Sequence, residues 1–177
     1  MDKIIKRKVV VYVIKDNKLL VFRHKDYSYE EMGIQVPAGS IKEEEKPEEA
    51  AMRELKEETG YNCFEIIGPR PLGTAQYYMT PYRSEIQERH FFLVVPTADL
   101  PERWDSEENH DEERKPTYLE CFWIPLNTGH ILQAGQGALL YRIPEVDSSS
   151  VDSVVGSVAV SLSKVDKKVG IDYNGGM

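Results

Sequence analysis

Apolar and polar residues alternate in short blocks along much of the chain, a pattern typical of β-strands joined by turns. Within residues 7–22, two β-branched, apolar runs flank residues 15–18, which have turn-forming Asp16 and Asn17 at their centre. These residues predict a β-hairpin that opens an antiparallel sheet. A third extended segment, residues 33–36, is expected to end in a loop at residues 37–39, because proline keeps its predecessor extended and glycine permits a sharp turn.

The strongest helix signal lies at Pro47–Thr59. Pro47 suits the first helical position, and Glu48 and Glu49 favour the positive N-terminal end of the helix dipole. Gly60 suits the position just past the C-terminus, where a left-handed backbone conformation is common. We therefore expect one helix over these residues.

Further strands and a second helix are expected after this helix. The strand-like segments are separated by turns rich in proline, glycine and charged residues, and they comprise residues 62–67, 73–80, 86–95 and 118–124. The second helix would begin at Asn127 or Thr128 and end before Pro144, with its apolar residues on one side. The predicted fold class is α+β, with a mostly antiparallel sheet.

The composition changes after Pro144. Residues 147–150, an aspartate and three serines, are typical of a linker, and the last four residues are typical of a disordered end. We expect one domain in residues 1–145 and a C-terminal extension in residues 146–177, which forms either an added strand or a flexible tail.

Length, apolar content and charge restrict the class of protein. A chain of 177 residues with 41% hydrophobic residues fits one domain with a real core. It has neither a membrane-length apolar stretch nor a signal-peptide core, which predicts a cytoplasmic protein without a membrane partner. The net charge of −8 disfavours binding to long nucleic acids. Cys63 and Cys121 are expected to be reduced thiols.

Three carboxylates recur on one side of the predicted helix. Glu54, Glu57 and Glu58 are three and four residues apart, which places them within an arc of about 100°. Considered alone, such a charge run usually indicates a solvated face. The alternative is a Mg²⁺ site, because Mg²⁺ prefers carboxylate and phosphate oxygens as ligands.

The spacing around these carboxylates decides between the two interpretations. The pattern is a glycine, five residues, a glutamate, seven residues, Arg-Glu-Leu, one residue, Glu-Glu, one residue and a glycine, and it runs from Gly39 to Gly60. Chance would give such a match in on the order of 10⁻⁷ of windows. The segment closely resembles the box of the Nudix hydrolase family, and Tyr61 departs from it mildly, since the family usually has an aliphatic residue there.

The resemblance implies a fold, a metal and a set of roles. The implied fold is a mixed, mostly antiparallel sheet flanked by helices, an α/β/α sandwich. The cofactor would be Mg²⁺, with Mn²⁺ as a substitute. Arg53 would orient Glu57, and Glu45 would brace the loop before the helix. The implied metal ligands are Glu54, Glu57, Glu58 and the backbone carbonyl of Gly39.

The general base is not fixed by the resemblance, because the family takes it either from the box or from elsewhere. Glu54 is the first choice. The alternatives are Glu88, on a predicted strand near His90, and the acidic segment of residues 105–113, which we expect to be a solvated loop.

Aromatic residues could bind a nucleobase by stacking, as aromatic faces do for many bases. Tyr77, Tyr78 and Trp104 are the candidates. Strand aromatics more often belong to the core or form cross-strand pairs.

The function expected from these features is Mg²⁺-dependent hydrolysis of a phosphoanhydride bond in a nucleoside di- or triphosphate, or in another compound linked to a nucleoside diphosphate. One alternative is a catalytically silent nucleotide-binding or regulatory module. Others are a hydrolase of dinucleoside polyphosphates and one of RNA 5′ ends, the latter disfavoured by the acidic balance. The substrate's second group, the attacked phosphorus and the formation of a homodimer stay open.

Overall fold

A computed structural model describes residues 3–62, 68–110 and 115–144. Residues 63–67 of the strand predicted at residues 62–67, which include Cys63, and the extension at residues 146–177 lie outside these ranges. The described residues form strands β1 (Ile4–Lys15), β2 (Lys18–His24), β3 (Ala38–Ser40), β4 (Arg70–Tyr78), β5 (Glu85–Val94), β6 (Arg103–Glu108) and β7 (Thr117–Pro125). They also form helices α1 (Tyr29–Met32) and α2 (Pro47–Thr59).

The predicted hairpin is confirmed by β1 and β2, which pair antiparallel at Ile14 with Leu19. Asp16 and Asn17 form its turn with φ of 50° and 57°. Both values lie in the left-handed region, which a two-residue hairpin turn of this twist requires and which Asp and Asn tolerate.

The strands form one sheet in the order β4-β5-β1-β2-β7-β6, and β3 pairs with β1 off this path. β1 and β5 run parallel over ten residue pairs, whereas the other pairings are antiparallel. The α+β class with a mixed, mostly antiparallel sheet is therefore confirmed.

The loop predicted at residues 37–39 is wrong, because Ala38–Ser40 forms β3. β1 and β2 pair only next to their turn, which leaves the backbone of β1 available further along. The chain after Pro37 occupies this place, and the Val11 N–H donates to the Pro37 carbonyl at 2.8 Å. Gly39 pairs with Val9 within β3 and β1. The edge of β3 that faces away from β1 therefore remains open to other groups.

Both faces of the sheet are covered, because successive strand residues point to opposite sides. One face packs against α2, and its core includes Val9, Val11, Val13, Leu20, Phe92, Leu119, Cys121 and, from the helix, Ala50, Ala51 and Leu55. On the other face, the buried Tyr12 hydroxyl donates to the Gln136 carbonyl and accepts from the Leu139 N–H. The segment 126–143 thus covers the face opposite α2.

The second helix predicted in this segment is wrong. Three short 3₁₀ turns replace it at Leu126–Ile131, Gln133–Gly135 and Leu140–Arg142. Ala134 and Gly135 have φ of 51° and 67°, a left-handed conformation that ends any regular helix. No helix of the described ranges is long and apolar enough to cross a membrane.

The acidic loop predicted at residues 105–113 is wrong in its first part, because residues up to Glu108 belong to β6. The exposed Arg103, Asp105 and Glu107 alternate with half-buried Trp104, Ser106 and Glu108. Because of this alternation, the half-buried side chains of β6 face α2. The Trp104 indole N–H there donates to the Thr59 carbonyl at 2.9 Å.

Candidate functional site

The helix predicted at Pro47–Thr59 is confirmed to the residue. Its first turn is tied by the Lys46 N–H, which donates to the Glu49 carboxylate at 3.0 Å. Its last turn ends at Gly60, whose φ of 77° suits a left-handed helix terminus. Burial of its apolar side fixes the rotation of the helix, and Glu54 and Glu58 are buried at the edge of the sheet as a result.

Gly39 lies directly against the Glu54 carboxylate. A Cβ at Gly39 would stand 1.9 Å from the carboxyl carbon of Glu54 and 2.1 Å from one of its oxygens. Real non-bonded carbon atoms stay well beyond 3 Å apart, so only glycine leaves room for the carboxylate in this position. This close approach gives the glycine of the sequence pattern its physical reason.

Glu58 lies deepest in the site, with 6% of its surface exposed. The Ala38 N–H, on β3, donates to the Glu58 carboxylate at 3.0 Å. Burial raises the pKa of Glu58 well above its ordinary value of 4.5, and the negative charges of Glu108 and Glu54 raise it further. The ionised form of this carboxylate therefore needs a neighbouring positive charge.

Arg53 connects the helix to the residues before it. Its guanidinium donates to both oxygens of Glu45, at 2.7 and 3.0 Å, and to the Ser40 carbonyl at 2.8 Å. It also donates to Glu54 at 2.7 Å and to Glu57 at 3.1 Å. One side chain thus orients two of the box carboxylates and ties β3 to α2.

Glu45 accepts hydrogen bonds from two directions. Besides its paired contact with Arg53, it accepts from the Lys42 N–H at 2.9 Å. The hydrogen bonds from Arg53 are the largest influence, and they lower the pKa of Glu45 to about 2. Glu45 is therefore ionised at neutral pH and holds the turn before α2 against the helix.

Glu108 joins the box carboxylates from outside the box. One oxygen of each of Glu54, Glu57 and Glu108 lies within 4.8 Å of the other two. Burial raises the pKa of Glu108, with a contribution from Glu57, while His110 opposes the shift. In the sequence, this residue stands out only as part of an acidic segment. The alternation of β6 is the signal that could have separated it from its neighbours.

These carboxylates fit a hard divalent cation. Burial also raises the pKa of Glu54, although its hydrogen bond from Arg53 opposes the change. Arg53 occupies one oxygen of Glu54 and one of Glu57, and within residues 3–62, 68–110 and 115–144 nothing donates to the second oxygen of either. Partly buried acidic groups with free oxygens and too little positive charge are the donor set that Mg²⁺ and Mn²⁺ prefer.

Glu88, the alternative base, is not brought into the carboxylate cluster. It lies on β5, where its carboxylate contacts the His90 ring at 2.8 Å and is 4.0 Å from the Arg7 guanidinium. Its side chain is 41% exposed and forms a local pair with these residues. The structure therefore brings together six of the predicted box residues: Gly39, Glu45, Arg53, Glu54, Glu57 and Glu58.

The aromatic candidates lie in different surroundings. Tyr77 is half-buried, and the Arg89 guanidinium lies 4.0 Å from its ring centroid, so one face of that ring is already covered. Tyr78 is 53% exposed and donates to Gln76 at 2.9 Å. Trp104 packs edge-on against Tyr61 with the ring centroids 5.3 Å apart. Its hydrogen bond to α2 makes it part of the packing rather than a free stacking surface.

Comparison with known proteins identifies a matching family and a related enzyme. The model of the NUDIX domain matches residues 5–140. The ADP-ribose pyrophosphatase of Bacillus subtilis (strain 168) is 30% identical over 111 residues, which are 63% of this chain and 57% of that enzyme. The match thus spans little more than half the length of this curated relative.

Solved structures show the same fold. The MutT protein from Methanosarcina mazei Go1 aligns with a TM-score of 0.55 and 18% identity, over 80% of this chain and 94% of that protein. A UDP-X diphosphatase aligns with a TM-score of 0.52 and 15% identity, over 77% of this chain and 61% of that enzyme. At these identities the likeness concerns the arrangement of strands and helices.

Proposed function

The chain belongs to the NUDIX family, and from this premise we propose that it is a pyrophosphohydrolase of nucleoside diphosphate-linked compounds, with ADP-ribose as the first candidate substrate. The observation that supports this proposal most is the cluster of Glu54, Glu57 and Glu108 beside Gly39. The name of the Bacillus subtilis relative directs the choice of substrate.

Glu54, Glu57, Glu58 and Glu108 would hold Mg²⁺ or Mn²⁺, together with the Gly39 carbonyl. When bound, the cation supplies Lewis-acid stabilisation of the charge that develops on the phosphate oxygens. The residues of the chain then position the carboxylates. Arg53 keeps Glu54 and Glu57 in place, and Glu45 keeps Arg53 in place.

In the proposed reaction, a water oxygen forms a bond to one phosphorus, and the anhydride P–O bond breaks. The electron pair of that bond leaves with the departing phosphate. Glu54 accepts the water proton, since its partly buried carboxylate has a raised pKa and a free oxygen. With ADP-ribose, the products are AMP and ribose 5-phosphate.

The proposal is tested by a panel of ADP-ribose, UDP-glucose, nucleoside triphosphates, a dinucleoside polyphosphate and a triphosphate-ended RNA. Each compound is incubated with Mg²⁺ or Mn²⁺ in ¹⁸O-labelled water, and mass spectrometry identifies the products. We expect fastest turnover with a nucleoside diphosphate sugar and ¹⁸O in one monophosphate product. Binding without turnover would support a silent module, and comparable rates on the RNA would support a 5′-end hydrolase.

A further inference from the structure

The sheet face opposite α2 has two cations side by side near the carboxylate cluster. Lys8 on β1 and Arg89 on β5 are paired across the parallel strands. Like charges directly opposite each other on a sheet are unfavourable. Each cation also loses part of its hydration, because Lys8 is half-buried and Arg89 is only 6% exposed. Burial is accordingly the largest cause that lowers the pKa of each.

Within the described ranges, neither cation has a carboxylate as a direct partner. Arg89 donates to the Ala134 carbonyl and to the Gln87 side chain. Lys8 donates to the Ser40 hydroxyl at 2.8 Å, and in the part of the chain that the structure describes no carboxylate lies within 4.0 Å of it. Glu85, the acidic residue on this face, is paired with Lys6 at 3.1 Å. The two cations thus leave a local excess of positive charge.

Lys8 is also close to the centre of the proposed chemistry. Its partner Ser40 follows Gly39 in β3, and the Ser40 carbonyl accepts from Arg53. Burial and the charge of Lys6 lower the pKa of Lys8, and the negative charges of Glu85 and, to a smaller extent, Glu54 oppose this lowering. β3 therefore has the box carboxylates along its open edge and a half-buried ammonium on the neighbouring face.

We propose that Lys8 binds a non-bridging oxygen of the substrate's diphosphate, with the adjacent charge of Arg89 favouring the same anion. This inference rests on the proposed function for its substrate. The anion supplies the negative charge that the two cations lack, and it makes Lys8 a substrate-binding residue. The alternative is that Lys8 only ties β1 to β3 through Ser40.

The test compares Lys8→Met with Lys8→Arg and with Lys3→Met. Lys3 is a matched control, because it is exposed immediately before β1 and its substitution changes the net charge equally. We expect Lys8→Met to raise the KM for ADP-ribose about tenfold, as the loss of one charge-assisted hydrogen bond does, with kcat changed less than threefold. Lys8→Arg should keep most of the affinity, and Lys3→Met all of it.

A wild-type KM in Lys8→Met would overturn the inference. Ser40→Ala separates the structural alternative, because it removes the hydroxyl and leaves the cation. If Ser40→Ala raises the KM as much as Lys8→Met does, only the hydrogen bond between Lys8 and Ser40 matters. This result would also overturn the inference. Circular dichroism and melting curves check that each variant is folded.

Calorimetric titration of inorganic pyrophosphate in EDTA tests the anion site without metal and without turnover. We expect the wild-type protein to bind pyrophosphate about tenfold more tightly than Lys8→Met does. Equal affinities would contradict the inference. A protein that binds pyrophosphate through Lys8 but hydrolyses nothing in the substrate panel would refute the proposed function and leave this inference standing.

Discussion

The negative charge of the buried Glu58 carboxylate is poorly compensated by the groups around it. Among the described residues, its carboxylate accepts a hydrogen bond only from the Ala38 N–H, and its carboxylate neighbours add repulsion. The metal-free protein thus contains an unfavourable electrostatic interaction at Glu58, which a bound cation would relieve. Such a site couples stability to pH and to metal.

Replacement of Glu58 by Gln should therefore stabilise the metal-free protein at neutral pH. The folded-state pKa is raised above 4.5, so the wild-type protein loses stability as pH rises from that value through the folded pKa. Gln keeps the hydrogen bond without the charge. Melting curves in EDTA should show a gain of about 1–3 kcal/mol for the variant at pH 8 and little gain near pH 4.

Addition of Mg²⁺ at pH 8 should make the wild-type protein more stable than Glu58→Gln, because wild-type Glu58 would then be a ligand. A Gln variant that is less stable than the wild-type protein in EDTA at pH 8 would contradict the account of Glu58.

Substitution of Gly39 by Ala tests the close approach of β3 to α2. The added Cβ meets the far end of the Glu54 side chain, which can move away, so the variant should fold. It should nevertheless lose activity by about 100-fold or more, because the carboxylate is displaced from the cluster. The comparison of kcat with the melting temperature checks this. Wild-type kcat in a folded variant would show that the position of Glu54 over Gly39 is not needed.

The residues of the box could be selected from the sequence because their spacing is local and unusual. Glu108 could not be assigned to the site in the same way. Its place depends on the pairing of β6 with β7, which turns Trp104, Ser106 and Glu108 toward α2. In a run of charged residues, only one apolar side chain marks that alternation, and the pattern is too weak to distinguish a strand from a solvated loop.

At the scale of elements, α2 was predictable and the segment 126–143 was not. The helix has its own signals, from Pro47 at its first position to Gly60 after its last. The later segment follows a path set by contacts with the sheet. Its left-handed bend at Ala134 and Gly135 lies where Arg89 and Tyr77 meet it, and no local pattern indicates such contacts.

Tyr12→Phe tests whether the buried hydroxyl holds this segment on the sheet. The change leaves the Gln136 carbonyl and the Leu139 N–H without their partner, and we expect a loss of about 1–2 kcal/mol in the free energy of unfolding. Tyr82→Phe is the control, because Tyr82 is 88% exposed. Urea unfolding measures both. Equal stabilities of the two variants would show that apolar packing alone holds the segment.

At the scale of the whole molecule, the class and the antiparallel hairpin of β1 and β2 followed from alternation and turns. The parallel pairing of β1 with β5 did not, because it joins residues about eighty positions apart and no short-range pattern specifies such a partner. The same pairing places Lys8 beside Arg89. The sequence alone therefore does not indicate that Lys8 and Arg89 are neighbours on the sheet face opposite α2.

Truncation after residue 145 tests the predicted domain boundary. The NUDIX match ends at residue 140, and the described core ends near Ile143. We expect the shortened protein to keep the wild-type kcat and to melt within about 3 °C of the full chain, which corresponds to roughly 1 kcal/mol at this size. A shortened protein that unfolds or loses its activity would show that residues 146–177 belong to the domain.

The proposed hydrolysis requires the box carboxylates to act as a metal site. The most direct measurement is the rate of ADP-ribose hydrolysis as a function of Mg²⁺ concentration in the wild-type protein, Glu57→Gln and Glu48→Gln. Glu48 is an exposed glutamate in the first turn of the same helix and provides the matched control. We expect Glu57→Gln to lose at least about 100-fold in kcat, since a metal ligand is removed, whereas Glu48→Gln keeps wild-type rates. Full Mg²⁺-dependent turnover in folded Glu57→Gln would contradict the account.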